Sequence, residues 1–170
     1  MAELWVDKLD QDFRKEVEAG LGGPYLEFCY ACGACTGSCP VREMVKEFDP
    51  RKIIHMIVMG MKEQVLSSDL IWYCCLCSTC SFICPQKVNF GEVMKVLRAL
   101  ALKEGYIDAS LHQRIQAVEQ FAQGLRLRLL RSVLGRRESQ FRFDWRTLWT
   151  EANRALKGKP SDAAKAGDEQ

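Results

Sequence analysis

Apolar residues recur at helical spacing along most of this chain and almost nowhere alternate as a strand would require. In residues 7–19, Leu9, Phe13 and Val17 fall four apart. This predicts a first helix, ended by Gly20 and the turn Gly22-Gly23-Pro24. In FDPRKIIHMIVMGMKE, Asp49 can cap a helix and Pro50 suits its first position. Ile53, Ile54, Ile57, Val58 and Met61 form its apolar stripe. Asn89 and Glu92 read as a capping box for a helix running to Glu104 and stopped by Gly105. Asp108 can cap another, with Leu111, Ile115 and Val118 turned inward, and Asp144 a last one bearing Trp145, Leu148, Trp149 and Ala152. The end, KGKPSDAAKAGDEQ, is small and polar and is expected to be disordered. The predicted fold class is all-α.

Dense cysteine interrupts this helical pattern twice. CYACGACTGSCP starts at Cys29 and CCLCSTCSFICP at Cys74. Aligning Cys74, Cys77, Cys80 and Cys84 with Cys29, Cys32, Cys35 and Cys39 gives C-x2-C-x2-C-x3-C-P in both, an internal repeat. Three cysteines at two-residue gaps on a tight loop can bind three corners of one [4Fe–4S] cubane. The fourth, before proline, is directed elsewhere, and in two-cluster ferredoxins it ligates the other cluster. The expected ligands are Cys29, Cys32, Cys35 and Cys84 for cluster 1, and Cys74, Cys77, Cys80 and Cys39 for cluster 2. Gly33 and Gly37 let the backbone wrap closely, and Pro40 and Pro85 send the chain away after each fourth ligand. Structural zinc more often uses two CxxC pairs across a longer loop, and an odd total of nine cysteines does not suit a closed disulfide framework. Cys75 is left over and is expected to be a small buried residue beside the cluster.

Net charge is +2, which gives no case for nucleic-acid binding. The charge is uneven: residues 120–159 carry ten Lys/Arg against three Asp/Glu, whereas residues 1–119 carry thirteen against sixteen. The first twenty residues are charged throughout, unlike a signal peptide. The longest apolar run, IIHMIVMGM, is nine residues against the ~20 a membrane helix needs. The expected setting is a reducing cytoplasm, where cysteines serve as ligands rather than disulfides. His55 and His112 read as packing or surface residues, and no nucleophile, paired-carboxylate or phosphate-loop arrangement suggests catalysis.

CYACGACTGSCP, FDPRKIIHMIVMGMKEQVLSSDLIWYC and CSTCSFICPQKVNF together resemble the C subunit of heterodisulfide reductase (HdrC) and its relatives in Hdr-like complexes. The linker carries the resemblance as well as the ligands. It implies an α-helical ferredoxin with two [4Fe–4S] clusters over residues 25–105, with the eight paired cysteines as ligands and no catalytic residue. It also implies a conduit between an HdrA-like flavin/iron–sulfur subunit and an HdrB-like CCG-domain subunit. Around this domain we expect an N-terminal helical segment (1–24), a helical basic extension (106–158) and a disordered tail (159–170). The alternatives are an iron–sulfur subunit of another oxidoreductase, glycolate-oxidase- or fumarate-reductase-like, and a non-redox module stapled by metal. Three readings stand open for the basic stretch LRLRLLRSVLGRRESQFRF. It packs on the core through Leu125, Leu129 and Val133, docks on a partner subunit, or lies on an anionic membrane surface.

Overall fold

A computed structural model of the chain describes residues 9–23, 25–134, 146, 149–150 and 152–153. Among them every regular element is helical: α1 (Phe13–Leu21), α2 (Ala34–Gly37), α3 (Pro40–Met44), α4 (Pro50–Val58), α5 (Lys62–Leu66), α6 (Leu70–Tyr73), α7 (Thr79–Ile83), α8 (Phe90–Lys103) and α9 (Ala109–Leu134). The chain divides into two compact units, Met1–Tyr106 and Ile107–Gln170.

In the first unit, α1, α5, α6 and α7 each pack on α8, and α4 packs on α1, α2 and α5. The core is built from Phe13 and Val17 of α1, Ile53, Ile54 and Ile57 of α4, and Val93, Met94 and Leu97 of α8, all buried. Each such side chain contributes about 1.5–3 kcal/mol of burial. Asp49 caps α4 as the sequence predicts, its carboxylate accepting the Lys52 N–H at 3.1 Å, with Pro50 at the first position. The predicted stripe is narrower than expected, because Val58 is largely exposed.

Three boundaries depart from the sequence reading. Helix α1 begins at Phe13 rather than near Asp7: Asp10 takes the Asp12 N–H on its own carboxylate at 3.0 Å, a local turn that competes with the helix. It also runs past Gly20 to Leu21. Gly20 is an interior contact, where an added Cβ would stand 2.8 Å from Val96 Cγ1, and Gly22 at φ 76° ends the helix. The capping box of α8 does not form. Asn89 Oδ1 accepts the Ser81 hydroxyl at 2.6 Å instead, and Glu92 pairs with Lys95 at 2.7 Å. Lys62 joins α5 to its neighbours through Glu16 (2.8 Å) and Glu104 (2.6 Å). Partial burial opposes its charge, but the two carboxylates outweigh that and raise its pKa.

In the second unit, Asp108 accepts the Ser110 N–H at 2.7 Å and α9 runs 26 residues without a break, through Gly124 and into the basic stretch. Leu111 and Val118, expected to face inward, are exposed, as are Leu129 and Val133. Over residues 125–131 the helix alternates leucine with arginine, which spreads the apolar residues of that stretch over more than one face. No described helix is long and apolar enough to cross a membrane. Most of the helix expected from Asp144, and the tail after it, lie outside the described residues.

Candidate metal centres

The two cysteine repeats fold alike. Cys29 and Cys32 lie on a loop and Cys35 is the second residue of α2; Cys74 and Cys77 lie on a loop and Cys80 is the second residue of α7. The residues flanking the middle cysteine are left-handed in both copies: Ala31 (φ 52°) and Gly33 (φ 80°), then Leu76 (φ 51°) and Ser78 (φ 63°). Three of the four are not glycine, and each such placement costs roughly 1–2 kcal/mol. Repeated strain of this kind marks a loop wound for a purpose. The winding turns the Leu76 N–H toward the Cys74 sulfur and the Thr79 N–H toward that of Cys77. Gly37, expected to share this role with Gly33, is an ordinary helical residue at the end of α2. The fourth cysteines also match: Cys39 (φ −82°, ψ 118°) and Cys84 (φ −72°, ψ 118°) are both extended, each before its proline.

These elements enclose two cavities. Cys29, Cys32, Cys35 and Cys84 line the first, with Ile54, Val88 and Phe90; its volume is ≈ 450 Å³ including the open mouth. Cys39, Cys74, Cys77 and Cys80 line the second, with Cys75, Val41, Phe48 and Phe90, in ≈ 340 Å³. Each cavity thus takes three cysteines from one repeat and one from the other. Phe90 lines both, and its buried ring forms a wall between them. Protein interiors are otherwise close-packed, so a space with apolar walls and four thiols is a shaped receptacle. Among the described residues no three His, Cys, Asp or Glu side chains converge as a single-ion site requires. Four thiols line each space, a soft-ligand set of the kind that iron–sulfur groups use.

Burial pushes the Cys74 thiol up to about 11 and raises Cys35 and Cys80 as well. A thiolate in such surroundings is stable only with positive charge on its sulfur. Cys77, nearer solvent, is lowered by the Thr79 hydroxyl and N–H. Cys75 is exposed, not buried as expected: the chain leaves α6 extended, so side chains alternate, and Cys74 is buried while Cys75 meets the second cavity from its solvent side.

A second layer of the repeat escaped the sequence reading. The residue after each third cysteine is a hydroxyl, and each donates to the residue that opens the next long core helix. Thr36 Oγ1 reaches Asp49 Oδ1 at 2.6 Å, and Ser81 Oγ reaches Asn89 Oδ1 at 2.6 Å. Thr36 also accepts the Arg51 N–H at 3.1 Å. Asp49 is therefore both cap and anchor. Burial works to raise its pKa, but Thr36, the Lys52 N–H, Arg51 and Arg42 together hold it below the usual carboxylate value. The stability it contributes is complete above pH ~4 and is lost as pH falls through the lowered value. Asp49→Ala is expected to cost about 1–2 kcal/mol at pH 7 in anaerobic denaturant unfolding, and to loosen the first cavity before the second.

Residues 28–89 match the family model for a 4Fe-4S dicluster domain. That stretch is similar to an iron–sulfur dicluster domain. The C subunit of the H(2):CoB-CoM heterodisulfide,ferredoxin reductase of Methanothermobacter thermautotrophicus is 36% identical over 107 residues, covering 63% of this chain and 56% of that protein. The second iron–sulfur C subunit of the CoB–CoM heterodisulfide reductase of Methanocaldococcus jannaschii is 39% identical over 112 residues, 62% and 59% of the two. A protein of Archaeoglobus profundus named as like the C subunit of heterodisulfide reductase is 34% identical over 89 residues, 52% and 47%. The chain spans a little over half the length of the first two of these curated relatives. Residues 28–89 thus combine an all-helical frame with the pattern of a 4Fe-4S dicluster domain, and the stretch around them is similar to heterodisulfide reductase C subunits.

Proposed function

We propose that this chain is the two-cluster electron-transfer subunit of a heterodisulfide-reductase-like complex. Cys29, Cys32, Cys35 and Cys84 would hold one [4Fe–4S] cluster, and Cys74, Cys77, Cys80 and Cys39 the other. The observation that carries this reading is the division of eight cysteines into two cavities, each drawing its fourth thiol from the opposite repeat. Bound there, the clusters supply one-electron redox chemistry with every iron corner met by cysteine, so no site is left for substrate. The protein holds the thiolates, aims N–H groups at sulfur, and shields each site with Ile54, Val88, Phe48 and Phe90. The cluster domain would span residues 25–105. Its partners would be a flavin- and cluster-bearing HdrA-like subunit and a CCG-domain HdrB-like subunit. Docking falls to exposed side chains, among them Tyr30 and Phe82 beside the cysteines and the leucines and arginines of α9. Anaerobic purification from the native host tests the reading. Recovery of a flavoprotein and a CCG-domain protein with the chain is expected; recovery with a glycolate-oxidase or fumarate-reductase flavoprotein alone would reassign the complex.

A further inference from the structure

Glu18 and Arg98 are the two charged side chains buried among the described residues. Glu18 acts locally, accepting the Leu26 N–H at 3.1 Å and lying 3.8 Å from Arg14. Arg98 is different. It stands on α8 at 8% exposure, and its guanidinium reaches across to the end of α6. Nε donates to Ile71 O at 2.9 Å, while Nη2 donates to Trp72 O at 3.1 Å and Cys74 O at 2.7 Å. The Trp72 ring lies 5.5 Å from the guanidinium carbon. These carbonyls are ones that a four-residue helix leaves without intrahelical partners, and a planar cation satisfies several at once. The last belongs to the first cysteine of the second repeat.

We propose that Arg98 is the positioning and potential-setting residue of the Cys39, Cys74, Cys77 and Cys80 site. This rests on the two-cluster reading above. The guanidinium fixes the Cys74 peptide as the chain turns extended, and so fixes where its sulfur enters the cavity. Reduction at the site adds one electron from the redox donor and breaks no bond, so the whole change is one extra negative charge. A permanent cation held a few bonds from the ligand favours the reduced form, and burial keeps water from screening it. Removing it adds one negative charge's worth of field at the same place whatever else Arg98 touches. The first repeat has an arginine too. Arg51 lines the first cavity, with Nη1 3.5 Å from where a Cβ on Gly33 would stand, but it is exposed and its charge is screened.

The test is an EPR-monitored redox titration of the full chain, purified anaerobically and assayed for iron and sulfide. It compares wild type with Arg98→Gln, Arg98→Met, Arg98→Lys and Arg51→Gln. The second-site midpoint is identified as the one surviving in Cys84→Ala protein. With iron retained, both neutral variants at position 98 are expected to lower that midpoint by at least a tenfold change in the reduced-to-oxidised ratio, 59 mV for one electron. Arg98→Lys is expected to stay near wild type, and Arg51→Gln to move the first-site midpoint by less. If the neutral variants instead shed about half the iron while Arg98→Lys keeps it all, the charge is required to hold the site at all, which also supports the proposal. Unchanged midpoints in fully loaded neutral variants would overturn it. So would equal iron loss in all three position-98 variants, which would make Arg98 a brace whose charge is irrelevant. Wild-type protein holding zinc without sulfide would instead defeat the two-cluster reading itself.

Discussion

Cys84→Ala is expected to remove about four of about eight irons per chain, and the four it removes belong to the first repeat, although Cys84 lies in the second. The reason is geometric. Cys84 leaves α7 in an extended conformation and lines the cavity of Cys29, Cys32 and Cys35, while Cys39 does the reverse. The EPR spectrum of reduced Cys84→Ala should therefore match that of Cys32→Ala and differ from that of Cys77→Ala. Cys39→Ala should show the mirror result. As a ligand, each crossed cysteine would also tie one repeat to the other, so its loss should weaken folding as well as metal binding. A Cys84→Ala protein whose spectrum matched Cys77→Ala would contradict the crossed arrangement.

The second large effect is expected at Phe90. Its ring is 2% exposed, meets Phe48 edge-on at 6.4 Å and 69°, and lines both cavities from the first residue of α8. Phe90→Ala should cost about 3–5 kcal/mol, a large part of the ~5–15 kcal/mol that holds a typical domain together. Because the wall is shared, the damage should be shared. Anaerobic denaturant unfolding should show the loss of stability, and a chelator should draw iron from both sites at the same accelerated rate. Release from one site alone would mean that the ring serves only one cavity.

The parts of the structure most legible in the sequence are those fixed by local chemistry. The Asp49-Pro50 helix start, the stop at Gly105 and the all-helical class follow from capping rules and periodicity. The repeat is visible because metal ligation demands a spacing that chance rarely gives. What escapes are choices between competing local partners. Asn89 can cap its own helix or accept the Ser81 hydroxyl, and only the approach of α7 to α8 decides for the hydroxyl. The left-handed Leu76 carries no glycine to announce it. Arg98 reads as one more polar residue on an amphipathic helix, because the carbonyls it serves lie 24 to 27 residues earlier in the chain. The burial expected of Cys75 follows the usual behaviour of free cysteine, which an extended chain beside a ligand overrides. The inward turn expected of Leu111 and Val118 is not seen, and both are exposed on α9.

The proposed electron-transfer role depends on two cubanes being held by the eight cysteines. Iron, acid-labile sulfide and zinc should be measured on anaerobically purified protein, with low-temperature EPR after dithionite reduction. About eight iron and eight sulfide per chain, no zinc, and signals from two interacting reduced clusters are the predicted result. Stoichiometric zinc without sulfide, in protein never exposed to air, would contradict it.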